Sequence, residues 1–89
     1  MTNLTTTDII AIRGETHGDY STTAFIIQSL KSIMQDTANW AILNSTQKES
    51  LEMIAHKMGR ILSGDPNFRD HWADIAGYAQ LQADRSHEQ

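Results

Sequence analysis

The chain has 89 residues, enough for one small domain, and a domain of this size hides only roughly 60% of the surface its unfolded form exposes. It contains no cysteine, which excludes disulfides, thiolate zinc sites and thiol nucleophiles together. Seven Lys and Arg against eleven Asp and Glu give a formal charge of −4, which excludes broad wrapping of a nucleic-acid polymer, because that needs a basic stripe.

Residues 1–7 hold neither a basic run nor an apolar segment, so no secretory signal is expected there. The apolar runs are a few residues long, too short to span a membrane. A reducing cytoplasm is the simplest compartment. A thin core without staples points to a homodimer or higher homo-oligomer that hides part of a helical face.

In chain order, Ile9, Ile10 and Ile12 predict a short first helix over about Asp8 to Arg13, with Thr7 or Asp8 as cap, although their β-branching leaves a strand open. Gly14-Glu15-Thr16-His17-Gly18-Asp19 reads as a polar turn bracketed by glycines, with Gly18 in a conformation that side chains rarely adopt. From Tyr20 to Gln35, Ile26, Leu30, Ile33 and Met34 recur at helical spacing, and Asp19 or Ser21 can cap the start. Residues 36–45 form a crossover that Trp40, Ile42 and Leu43 pin to the body.

Thr46-Gln47-Lys48-Glu49 has the spacing of a capping box and opens a third helix running to about Leu62. Leu51, Ile54, Ala55, Met58, Ile61 and Leu62 are its apolar stripe, and Ser63-Gly64 ends it. Asp65 as cap with Pro66 at the first helical position restarts the chain, and a final helix runs from about Pro66 or Phe68 to Asp84, its stripe being Trp72, Ile75, Ala76, Ala79 and Ala83. The reading is therefore all-α: a compact antiparallel bundle of three main helices plus a short N-terminal one, a single domain over 1–89 with residues 1–6 and 85–89 frayed.

The chemistry-bearing residues gather in three places. Asp70 and Asp74 stand one turn apart beside the final apolar stripe, with Tyr78 a turn further on, and like charges at that spacing call for a cation. Glu49, Glu52 and His56 form a polar ridge on the third helix, with Lys57 and Arg60 next to it. If the ridge faces Asp70 and Asp74, the carboxylates can hold magnesium, and Lys57 and Arg60 can neutralise phosphates. The plainer alternative is solvent-face pairs and cations complementing a helix C-terminus. Glu15, His17 and Asp19 either bring further ligands to the helix ends or simply make the turn and cap. The four histidines match no standard zinc spacing. Gly77, inside a helix, points to close approach of another helix or to room for a ligand. Trp72 and Tyr78 serve as core anchors or as platforms for a base.

Three stretches, Arg13-Gly14-Glu15-Thr16-His17-Gly18-Asp19, Met53 to Leu62 and Asp70-His71-Trp72-Ala73-Asp74-Ile75-Ala76-Gly77-Tyr78-Ala79, resemble a family of small phage and prophage proteins. Its members show a THGD or YGD turn, a helix ending in Lys-x-x-Arg, and a final helix with Asp-Ile-Ala-Gly-Tyr-Ala; the resemblance spans Arg13 to Leu81. More distantly the pattern is similar to the all-helical MazG-like nucleoside triphosphate pyrophosphohydrolases. That resemblance implies magnesium held by an acidic pair on each of two helices: Glu49 and Glu52 fit the first pair, while Asp70 and Asp74 stand for the second at a spacing of four rather than three.

Two functions are carried forward. One is a magnesium-dependent nucleotide pyrophosphohydrolase in the cytoplasm of a bacterial host, with Glu49, Glu52, Asp70 and Asp74 as metal ligands and catalytic groups, and Glu15, His17, Asp19, Lys57, Arg60, Trp72 and Tyr78 around the substrate. The other is a non-catalytic phage accessory protein that binds a nucleotide signal or a host protein. A third, a structural virion or regulatory protein, predicts an exposed apolar patch in place of a pocket.

Overall fold

The computed structural model describes residues 4–86; residues 1–3 and 87–89, among them His87 and part of both termini expected to fray, lie outside the described residues. Among the described residues the chain is helical and without strands: α1 (Thr6–His17), α2 (Tyr20–Gln35), a 3-10 helix (Ala38–Ile42), α3 (Ser45–Ser63) and α4 (Arg69–Arg85). None of these helices is long and apolar enough to cross a membrane.

Local chemistry sets the boundaries, in places two to four residues from where the sequence pattern puts them. Thr5, not Thr7 or Asp8, caps α1: its hydroxyl accepts from the Asp8 amide, and the Asp8 carboxylate accepts from the Thr5 amide. With that start fixed, α1 runs on through Gly14, Glu15 and Thr16, so the expected six-residue turn shrinks to Gly18 and Asp19. Gly18 does take a positive φ of 89°, and its amide donates back to the Gly14 carbonyl. Asp19 caps α2, accepting from the Thr22 amide. The α3 box forms two residues earlier than expected, between Asn44 and Gln47, because Asn44 presents the better-placed side-chain oxygen. Asp65 turns instead onto the Asn67 amide, and α4 begins at Arg69 with no side-chain cap.

Helix α3 is the hub, with α2 along one flank and α4 along the other, while α1 touches α2 and α3 more lightly. The α2–α3 crossing is close because Gly59 leaves no Cβ; one placed there would sit 2.5 Å from Ile27 Cγ1. Gly77 shows no such approach, with nothing within 4 Å of its missing Cβ, so of the two expected reasons for that glycine the close approach of a helix is not found.

The bundle is open rather than compact. Its extents are 53 × 26 × 21 Å and its radius of gyration 15.6 Å, against about 12 Å for a compact globule of this length. Among the described residues only Ile27 and Ala55 are buried hydrophobic side chains. Trp72, Ala76, Ala79 and Ala83, expected to face a core, are exposed, and so is Ile42 of the crossover.

Candidate functional site

The ends of all four helices meet at one place. The Thr23 hydroxyl at the start of α2 donates to the Asp19 carbonyl at 2.8 Å and lies 2.6 Å from the Ser63 hydroxyl at the end of α3. Ser63 in turn donates to the Gly59 carbonyl, and the Asp65 amide donates to the Thr16 carbonyl of α1 at 2.9 Å. Across this junction His17 Nδ1 and His71 Nε2 stand 2.9 Å apart, and His71 is 1% exposed. Phe68 packs against both rings, edge-on to His17.

Two imidazoles joined by one hydrogen bond cannot both carry a proton on the facing nitrogens. Burial holds both below the ordinary imidazole value; for His17 the charge of His71 and the cations Arg60, Arg13 and Lys57 push the same way. For His71 a hydrogen bond with the Thr16 backbone pulls partly back. The pair is thus neutral and structural in kind, with the proton position on either ring set by the shared bond.

Beside the pair, α1, α2 and α3 enclose a groove of about 970 Å³. Ile10, Ala24 and Ile27 give it an apolar wall, and Arg13, His17, His56 and Arg60 give it cationic or cation-capable groups. Among the described residues neither the Arg13 nor the Arg60 guanidinium forms an ion pair or a hydrogen bond. His56 is held low by burial first, then by Lys31, Arg60 and Lys57, with Glu49 opposing. Asp19 is the one carboxylate in the lining, so the two guanidiniums outnumber it on a chain of net charge −4.

The expected carboxylate centre is not assembled. Glu52 pairs with Lys31 of α2 at 3.7 Å, and Asp74 pairs with Lys57 of α3 at 3.0 Å. The cause is angular: Glu52 and Lys57 are five residues apart on α3, roughly 140° around the axis, so the two acids are drawn to opposite flanks. Glu49 and Asp70 are exposed. Among the described residues no three His, Asp or Glu side chains are grouped to hold a metal ion, so the magnesium set Glu49, Glu52, Asp70 and Asp74 does not fit that role within one chain.

The expected substrate residues divide in the same way. His17, Asp19 and Arg60 reach the groove. Asp19, however, spends its carboxylate on the Ser21 hydroxyl and on the Thr22 amide and hydroxyl, which hold it below the usual carboxylate range. Lys57 is committed to Asp74, and Glu15 is exposed on α1. The Trp72 indole donates to the Pro66 carbonyl, and Tyr78 is half-buried on the α3-facing row of α4.

Arg13 and Ile10 belong to the groove and are not singled out as site residues by sequence, while His56, read as part of the ridge with Glu49 and Glu52, lines the groove without them. A longer α1 is the signal that finds Arg13 and Ile10, since Ile10, Gly14 and His17 fall on one helical face only if the helix passes through Gly14. The class these features define is a small all-helical protein with a cationic, apolar-walled groove. No family model, no curated protein and no solved structure matches the chain.

Proposed function

We propose that the protein is a non-catalytic binding protein whose α1–α2–α3 groove takes an anionic small molecule with an apolar or planar body, of which a nucleotide is the representative class. The observation that carries this is the pair of guanidiniums, Arg13 and Arg60, left without anions at the rim of an apolar-walled groove. Guanidinium groups match phosphate oxygens in a two-pronged geometry. The Ile10, Ala24 and Ile27 wall suits a base or another flat apolar group, and the volume is within the range of small-molecule sites.

The separate pairing of Glu52 and Asp74 with lysines favours binding over magnesium-dependent hydrolysis. A phage accessory role in a bacterial cytoplasm, with the distant MazG-like likeness, belongs to the same proposal and rests on the three motifs. The small buried core makes a homo-oligomer part of it.

Calorimetric titration with ATP, AMP and adenosine, with and without magnesium, tests the reading. Binding that needs the phosphates, that occurs without magnesium, and that weakens about tenfold in Arg60→Gln supports it, a factor worth about 1.4 kcal/mol. Release of pyrophosphate from ATP only with magnesium would replace it with the hydrolase, and no binding by any of the three would overturn the groove as a nucleotide site.

A further inference from the structure

One residue serves both the junction and the groove. His17 lines the groove, and its Nδ1 stands 2.9 Å from His71 Nε2. Arg13 precedes it by one turn of α1, so the two side chains share a face. Arg60 reaches the groove from α3 at the same end, where the Ser63 hydroxyl donates to the His17 carbonyl at 3.3 Å. Ile10 lies two turns further along α1, and His56 one turn further along α3.

The other charges around His17 are already placed. Lys57 of α3 pairs with Asp74 of α4, the Asp19 carboxylate takes Ser21 and Thr22, and Asp65 takes the Asn67 amide. From α4 the ring meets only His71 and Phe68, neither of them an acid. That partner matters. A carboxylate against Nδ1 would hold His17 charged at all times, whereas a neutral imidazole leaves its charge open to its surroundings. His71 is 1% exposed, and burial opposes its taking the charge itself.

In the free protein His17 is held neutral, by burial first and then by His71 and the cations Arg60, Arg13 and Lys57. An anion seated between Arg13 and Arg60 cancels the push of those cations and adds an attraction of opposite sign. An imidazolium then has two N–H groups to offer: Nδ1–H for His71, and Nε2–H, which has no partner among the described residues.

We propose that the groove takes its anion together with a proton: on binding, His17 becomes an imidazolium that donates Nε2–H to the ligand and Nδ1–H to His71, which makes His71 a positioning residue. The inference rests on the groove as the binding site and names its regulation and the charge of its ligand. The proton comes from solvent. Two guanidiniums and one imidazolium suit a doubly charged terminal phosphate better than a singly charged phosphodiester. Binding therefore tightens as the pH falls through neutrality, for as long as the phosphate keeps both charges.

Proton NMR of the histidine rings in the full chain, from about pH 5 to about pH 8 with and without saturating AMP, tests this. His17→Gln and His56→Gln assign the signals, and phosphorus NMR follows the AMP phosphate, which by itself titrates at about pH 6. The expected result is a His17 midpoint about one pH unit higher with AMP, equivalent to about tenfold tighter binding of AMP to the protonated form. His71→Gln keeps an amide near the place of Nε2 and should retain most of that rise. His71→Asn, whose amide stops short of it, should lose most of it. A rise on His17 in the native chain supports the proposal even if both variants unfold. Equal rises in the two variants would overturn the part given to His71. A His17 midpoint that bound AMP leaves in place, or a rise on His56 in its stead, would overturn the inference and leave the groove standing. AMP that does not bind would overturn groove and inference together.

Discussion

The two ends of the packing problem are solved differently in this molecule. At the junction of helix ends, Thr23, Ser63, His17 and His71 are joined by hydrogen bonds of 2.6 to 2.9 Å, and Gly18 and Gly64 let backbones touch. Along the helical body, the apolar stripes of α3 and α4 are largely uncovered, and among the described residues Ile27 and Ala55 alone are buried hydrophobic side chains. A small chain can order its turns by polar contacts that need no depth. It cannot hide three apolar stripes with so little mass around them.

Substitutions that strike only one of the two regions separate them. The largest effect is expected for Gly64→Ala, because the new methyl would collide with the backbone of Thr16, His17 and Gly18, none of which can swing aside as a side chain can. A loss of about 3 kcal/mol or more should appear in urea unfolding at fixed protein concentration.

Next comes His71→Leu, which keeps the bulk but removes the bond to His17, at a cost of about 1–3 kcal/mol. The histidines also set a pH dependence. His17, His56 and His71 are all held low in the fold, so above about pH 6.5 folded and unfolded chains carry equal protons and nothing is lost. As the pH falls below that value the unfolded chain takes up protons first, and stability drops until the folded pKa values are passed. Thermal melts between pH 7 and pH 5 should therefore shift downward, and less steeply in His71→Leu.

Gly14→Ala and Gly77→Ala act in the opposite direction. Both glycines are helical with open space where the methyl would go, so each change should stabilise by about 0.5–1 kcal/mol in the same unfolding assay. The smallest effect is expected for Asp74→Asn. Its partner Lys57 is largely covered but Asp74 is about half exposed, and such pairs contribute within about 1 kcal/mol. A large loss accompanied by loss of magnesium-dependent pyrophosphate release would place Asp74 at a metal after all.

Much of the helix content was readable because helical spacing and caps are local. Asp19 and Gly64 stand where their residue types demand, and Gly18 has the left-handed conformation expected of it. The misplacements are also local in origin. Asn44 and Thr46 compete for one cap, and the side chain nearer the free amides wins. Gly14 reads as a breaker, yet the Thr5–Asp8 box starts a helix that carries through it. The site was legible only in pieces: His17 and Arg60 were found, His56 was placed on the ridge of α3, and Arg13 enters through the path of α1.

By itself the sequence determined an all-helical chain, its caps, and the amphipathic stripes, because each depends on neighbours within one or two turns. Only the tertiary arrangement decided which charges meet. Whether Glu52 and Asp74 share a cation or take separate lysines turns on the rotation of α3 between its neighbours, and that is fixed by contacts such as Gly59 against Ile27, far apart in the chain. It also decided that His17 and His71, 54 residues apart, close on one hydrogen bond, since periodicity places a residue on a face but not that face against another.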